Sequence, residues 1–280
     1  MEPADDLRRV PRLGLALGGG GALGAAHVGV LQVLRERGIS PAVVAGTSAG
    51  AIVGAAYAVG MDPYELEDHV VRASWGTFGR FTARPGLGLL TADALRETVR
   101  TVAGEATIED LPIDYAAVAT DAETRAAVAL RRGPLAEALA ASIAVPGIFR
   151  PVRIDGRMLI DGGVARNLPI DTAFEMGATH VLGVRLAPEW EALGGSELEV
   201  HEWVIRPDVT LIRPVVGRRS QWVPRDLPGL VQIGRSAAEK ALSDYPIVSD
   251  PPDREPPEDR REDEGTPGPL RGIARFLHRY

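Results

Sequence analysis

The sequence predicts an α/β fold built on a mostly parallel central sheet, and two stretches near the N-terminus carry that prediction. In the first, Arg12-Leu13-Gly14-Leu15-Ala16-Leu17 runs as a strand into Gly18-Gly19-Gly20-Gly21-Ala22-Leu23-Gly24, a loop that is nearly all backbone. In the second, the β-branched pair Val43-Val44 leads into Gly46-Thr47-Ser48-Ala49-Gly50 and an Ala-rich apolar run. Between them Val28, Leu31, Val33 and Leu34 mark a helix that closes at Arg37-Gly38, a basic last turn followed by a C-cap glycine. Strand, helix and strand make a right-handed βαβ unit. The Gly-rich loop and the Ser48 turn therefore both fall at the carboxyl edge of the sheet, where ligands bind in such folds.

A serine on a sharp strand-to-helix turn, with glycine two residues away on either side, is pushed up and out of the backbone. The following helix aims its N-terminal N–H groups at the same spot, where a developing oxyanion would be stabilised. Gly-x-Ser-x-Gly is also what a tight strand-helix turn needs for packing alone, so the motif leaves two readings open: a nucleophile or a small-residue turn. Gly19-x-Gly21-x-x-Gly24 matches a dinucleotide-binding fingerprint. That reading requires an acid about 20 residues on to hold a ribose, and the chain has none between Glu36 and Asp62. An oxyanion loop facing Ser48 fits the same glycines.

The remaining elements follow in order. Asp62-Pro63 opens a helix carrying Tyr64, Leu66, Val70 and Val71. Residues 74–90 read as a Gly-, Phe- and Arg-containing loop, a candidate cover for the site, and Thr91 reads as the cap of the next helix, with Asp93 in its first turn. Tyr115 to Thr120 and Arg125 to Leu130 flank a turn and read as a hairpin. Pro134 starts a helix from Leu135 to Ala144, stopped by Pro146-Gly147. Val152 to Ile154 and Arg157 to Ile160 flank Asp155-Gly156, a strong hairpin signal, and the second strand runs into Asp161-Gly162-Gly163. Asp161 is either a surface turn aspartate or a carboxylate at a strand tip with room beside it for substrate. Thr179 to Leu186 and Val209 to Ile212 read as buried strands, and Leu227 to Leu242 as a closing helix.

Composition narrows the chemistry. The 280 residues include 45% hydrophobic and 25% charged residues, ordinary for a globular protein. There is no cysteine, which excludes thiolate catalysis and Cys-ligated metal. A net charge of −7 argues against general nucleic-acid affinity. The chain shows neither an apolar run of membrane-spanning length nor a signal-peptide pattern at Met1-Glu2-Pro3-Ala4, so the expectation is a cytoplasmic protein.

A serine nucleophile needs a base, usually histidine. Of the five histidines, an α/β-hydrolase order of serine, acid, histidine would leave His180 or His201. His180 starts an apolar run and His201 lies between Glu199 and Glu202, neither in a turn-like setting, while His27 falls inside the first helix, where packing explains it. Elimination leaves a carboxylate open as the base.

Four segments now bear on the question together: Gly19-Gly20-Gly21-Ala22-Leu23-Gly24, Gly46-Thr47-Ser48-Ala49-Gly50, Ser142-Ile143-Ala144-Val145-Pro146-Gly147-Ile148-Phe149 and Asp161-Gly162-Gly163. In this order they resemble the motifs of patatin-like phospholipases, over about residues 12 to 245. The resemblance implies a three-layer α/β/α fold with a nucleophile elbow and lipid acyl hydrolase activity on a lipid ester substrate. It also implies a Ser-Asp dyad with no cofactor and no metal. Carried over, Ser48 is the nucleophile, Asp161 the base and the Gly19, Gly20 and Gly21 backbone the oxyanion hole, with Gly24, Gly46, Gly50, Gly162 and Gly163 as supporting motif positions. The family often has arginine or lysine where this chain has Leu23. That departure raises a second reading, a regulatory lipid- or protein-binding member of the same fold, and an expectation that Leu23→Arg is tolerated. A Ser-His-Asp esterase is the further alternative.

The chain divides by composition into an N-terminal tail at 1–11, the hydrolase-like domain at 12–248, an acidic Pro-rich stretch at 249–269 expected to be disordered, and a short basic segment at 270–280. In that segment Leu270, Ile273, Ala274 and Leu277 fall on one helical face and Arg271, Arg275 and Arg279 on another. Such a segment suits peripheral contact with an anionic membrane. The sequence does not determine the oligomeric state.

Overall fold

The computed structural model describes residues 12–72, 80–81, 88–186, 203, 205–217, 219, 222 and 225–243. The tail at 1–11, the acidic stretch at 249–269 and the basic segment at 270–280 lie outside the described residues.

The strands are β1 (Leu13–Leu17), β2 (Val43–Thr47), β3 (Arg80–Phe81), β4 (Gly88–Thr91), β5 (Asp114–Asp121), β6 (Ala127–Leu130), β7 (Gly147–Phe149), β8 (Val152–Ile154), β9 (Arg157–Asp161), β10 (His180–Val184) and β11 (Val209–Ile212). The α-helices are α1 (Ala25–Glu36), α2 (Ala49–Val59), α3 (Pro63–Arg72), α4 (Asp93–Ala103), α5 (Leu135–Ser142), α6 (Ile170–Glu175) and α7 (Leu227–Ala241). The main sheet has the order β11-β10-β1-β2-β5-β9-β8, with β6 also paired to β5. From β11 to β5 every neighbour is parallel, and β6, β9 and β8 add antiparallel pairs.

Side chains alternate across a strand, and here the alternation separates two cores. Leu15, Leu17, Val44, Leu182, Val184 and Ile212 pack with residues of α1, α2 and α7. Their neighbours Ala16, Val43, Ala45 and Val181 face the other way, onto Ile170 and Ala173 of α6 and onto Trp203. Three layers result. The helical layer is tightest where α1 crosses α7, because a Cβ added to Gly29 would run into the Val231 carbonyl and one added to Gly234 into the Ala26 carbonyl.

Two local readings are corrected. Part of the stretch read as the loop 74–90 is strand: β4 pairs with β3 and, in parallel, with β7, forming a second, three-stranded sheet. Thr91 belongs to β4, so the helix cap falls to Ala92, whose side chain makes no cap bond. The Thr91 hydroxyl donates instead to the Asp93 carboxylate at 2.8 Å.

Candidate active site

Strand β2 ends at Thr47 and helix α2 begins at Ala49, so the whole change of direction falls on Ser48, at φ 52 and ψ −119. A non-glycine residue held there costs about 1–3 kcal/mol and persists only where its surroundings determine it. They do so from both sides. The Ser48 N–H donates to Ser142 Oγ at 2.9 Å, and the fully buried Ser142 hydroxyl donates to the Val118 carbonyl at 2.7 Å. The Ser48 carbonyl accepts from the N–H groups of Ala51 and Ile52, at 2.9 and 3.2 Å. A Cβ on Gly46 would meet the backbone of Gly50 and Ala51, and one on Gly50 the carbonyls of Leu17 and Gly18. The same glycines thus let the turn pack closely and leave the change of direction to Ser48.

Asp161 reaches the same place from the far side of β5. Thr47 is paired with Val118, and Asp161 with Ala119, so Ser48 and Asp161 leave the sheet at one level on either flank of that strand. Gly162 lies directly over the Val118 carbonyl, where no side chain fits, which lets the chain turn back across the end of β5. The Asp161 backbone is pinned by its N–H to Ala144 O at 2.9 Å and by Thr120 Oγ1 donating to its carbonyl at 2.8 Å. The side chain is a buried acid, 7% exposed. Oδ1 accepts the Gly163 N–H at 2.7 Å, whereas buried Oδ2 has no partner in full hydrogen-bond geometry among the described residues. Burial pushes the Asp161 pKa up, against the opposing pull of the Ser48 hydroxyl and the Gly163 N–H. The hydroxyl is therefore close enough to act on the carboxylate without completing a bond to Oδ2.

The segment after Asp161 lies across the sheet edge and ties the site together. Arg166 O accepts the Thr47 hydroxyl at 3.0 Å, and Asn167 O accepts the Gly19 N–H at 3.2 Å. This amends the oxyanion assignment. The Gly18 N–H is bound to Val184 O at 3.0 Å and the Gly19 N–H is occupied by Asn167, whereas the N–H groups of Gly20 and Gly21 have no acceptor among the described residues. Gly19 serves by closeness instead. Its Cβ position lies 2.7 Å from Asn167 Oδ1 and 3.3 Å from Ser48 Cβ. Gly20 passes under Leu186, Gly24 abuts Ala49 at the start of α2, and Gly163 packs beside Asp161 Oδ1 and Asn167 Oδ1.

His27 and His180, the described histidines weighed as the base, are placed elsewhere. His27 is fully buried in α1, with its pKa pushed down to about 4 by burial, and its neutral ring donates from Nε2 to the Gly18 carbonyl at 2.8 Å. It thus holds the Gly-rich loop rather than a substrate. His180 sits at the amino end of β10, level with Leu13, while the serine follows the carboxyl end of β2, about 16 Å up the sheet. Its Nε2 pairs with Thr210 Oγ1 at 2.9 Å. His201 lies outside the described residues. Leu23 is 5% exposed and part of the core, so the expectation that arginine is tolerated there is overturned: the side chain faces the interior and not the site.

Residues 15–174 match the family model described as patatin-like phospholipase. The chain belongs to the patatin-like phospholipase family. An uncharacterized NTE family protein of Mycobacterium bovis is 36% identical over 96% of this chain and 77% of its own length. The mouse patatin-like phospholipase domain-containing protein 6 is 33% identical over 64% of this chain and 14% of its own. Among solved structures, VipD from Legionella pneumophila superposes with a TM-score of 0.61 at 16% identity, over 84% of this chain and 67% of that one, which shows the shared fold.

Within this patatin-like fold, three supporting residues escape a reading of the sequence by residue type: Ser142, Asn167 and His27. Ser142 carried a signal as the first residue of the third motif, but its bond to the Ser48 N–H depends on α5 packing beneath the elbow. His27 carried none beyond helix periodicity. Asn167 acts on Gly19 mainly through its backbone, which any residue type supplies.

Proposed function

We propose that this chain is a serine acyl hydrolase that cleaves carboxylic esters of lipids, with Ser48 as nucleophile and Asp161 as general base. The observation that carries the reading is a strained serine at a helix N-terminus, facing a buried carboxylate whose Oδ2 is left without a full partner. Asp161 takes the Ser48 proton as Oγ bonds to the ester carbon. The oxyanion is met by the N–H groups of Gly20 and Gly21 and by the positive end of α2, and losing one such donor costs about 3 kcal/mol in comparable sites. Collapse breaks the ester C–O bond, and the proton on Asp161 passes to the leaving alcohol. Water then gives its proton to Asp161 and its oxygen to the acyl carbon. Release of the acid returns the proton to Ser48.

A carboxylate is a weak base for an alcohol, and burial makes Asp161 a stronger one. The reading as a non-catalytic member rested on Leu23. That side chain is buried in the core, and the Gly20 and Gly21 backbone donors do not depend on it. The test is labelling of the full chain with a fluorophosphonate probe and mapping of the modified peptide, beside ester hydrolysis by Ser48→Ala and Asp161→Asn. Modification at Ser48, with each variant reduced about a thousandfold or more and the double variant little worse than either, is the expected result. Near wild-type turnover in Ser48→Ala refutes the assignment.

A further inference from the structure

We infer that the side-chain amide of Asn167 holds the water that cleaves the acyl-Ser48 intermediate, which makes Asn167 a catalytic residue of the second half-reaction alone. The inference rests on the hydrolase reading and assigns a further group to its site. Asn167 lies in the segment that follows Asp161, and its backbone is fixed there by the carbonyl that accepts the Gly19 N–H at 3.2 Å. Its side chain is half buried, and among the described residues its amide has no hydrogen-bond partner. The amide oxygen is set among the reacting groups. Oδ1 lies 2.7 Å from the Cβ position of Gly19, which is itself 3.3 Å from Ser48 Cβ. It lies 3.3 Å from the Cβ position of Gly163, which is itself 2.9 Å from Asp161 Oδ1. A methyl group at residue 19 would displace the amide, so glycine there makes room for the Asn167 side chain. Oδ1 is thus within two contact distances of both Ser48 and Asp161, a span that one water bridges with hydrogen bonds of about 2.8 Å.

The two half-reactions differ in what must be held. In acylation the nucleophile is Ser48 Oγ, fixed by its own covalent bonds and carrying a single proton, which Asp161 takes. In deacylation the nucleophile is a free water with two protons and no tether. One acceptor leaves such a water free to rotate, whereas two acceptors aim a lone pair at the acyl carbon, and orientation of this kind lowers the barrier substantially. Asp161 accepts one O–H and Asn167 Oδ1 the other. As the water oxygen bonds to the acyl carbon, its first proton moves to Asp161 and the second stays on the oxygen, still bound to Asn167. Collapse then breaks the bond from the acyl carbon to Ser48 Oγ, which takes the proton from Asp161, and the acid leaves with the second proton. A neutral amide suits the place. It accepts without competing for the proton, and a carboxylate there would set two negative charges side by side.

The experiment compares the full wild-type chain with Asn167→Ala on nitrophenyl butyrate, an activated ester whose acylation is fast. We expect kcat to fall about tenfold or more and KM to fall with it, leaving kcat/KM, which reports acylation, within about twofold of wild type. Mixing should give a burst of about one equivalent of nitrophenol per chain followed by slow release. Acid-quenched samples should then carry a butyryl group on the peptide containing Ser48. The rate of labelling by a fluorophosphonate, which reports attack by Ser48 alone, should be unchanged. Asn167→Leu, of similar size and without the oxygen, replaces the alanine variant if that one does not unfold cooperatively. Equal losses in kcat and kcat/KM, or slowed labelling, show a side chain that only supports the loop and overturn the inference. A kcat like that of wild type overturns it too, and both results leave the hydrolase reading standing. Failure of the wild-type chain both to release nitrophenol and to take the label refutes the hydrolase reading, and this inference with it.

Discussion

At the scale of single residues, Asp161 is set between burial, which favours its neutral form, and two donors that favour the charged one, and burial prevails. If it is the base, activity requires its ionised form, so kcat/KM should fall on acidification through a pKa above the ordinary aspartate value of 3.8. The sign for stability is opposite. A raised folded pKa contributes stability that is complete below the unfolded value and is lost as pH rises through the folded one. Asp161→Asn, neutral at every pH, should therefore unfold at the same or a higher temperature than wild type at pH 8, and the difference should vanish in acid. A thermal scan at the two pH values, beside a pH-rate profile, checks both. Leu23 tests the opposite kind of burial. Leu23→Arg places a guanidinium in the core and should cost roughly 3–5 kcal/mol, read as a lowered denaturant midpoint. A variant as stable as wild type, with increased hydrolysis of anionic phospholipids, would show that the side chain escapes to the site.

At the scale of elements, the Ser48 turn stands on its neighbours. Helix α2 rests on β1 through Gly50, α5 supplies Ser142, and α1 supplies His27 for the Gly18 carbonyl. Helix α1 is in turn fixed by α7, through glycines on both sides of their crossing. Gly234→Val should force those helices apart and cost about 1–3 kcal/mol, seen in urea unfolding, while a surface change such as Glu65→Gln should cost almost nothing. The strands and helices here were legible because period-2 and period-3.6 patterns report which side of an element is covered. The second sheet was not. Strand β4 owes its existence to pairing with β7, nearly 60 residues away, and Gly88 to Thr91 shows no pattern of its own.

At the scale of the whole molecule, no helix among the described residues is long and apolar enough to cross a membrane. Separately, we propose that the basic segment at 270–280 contacts anionic lipid surfaces. Each arginine near an anionic surface contributes about 1 kcal/mol. The full chain should co-sediment with anionic vesicles at low salt, and a chain truncated after Tyr245 should do so markedly less. Equal binding by the two forms would dismiss the segment's role.

The sequence by itself determined the βαβ frame and the places of the Ser48 and Asp161 turns, because each is carried by a local run of residues, and the order of four such motifs carried the resemblance to the family. The tertiary structure alone decided which donors of the Gly-rich loop are free, that Leu23 faces inward, and that β5 sets Ser48 and Asp161 at one level. A side chain's partners are supplied by distant segments, and residue type does not encode them. The Gly19 N–H could serve as an oxyanion donor in any local reading, until a loop 148 residues further on provides the carbonyl that occupies it.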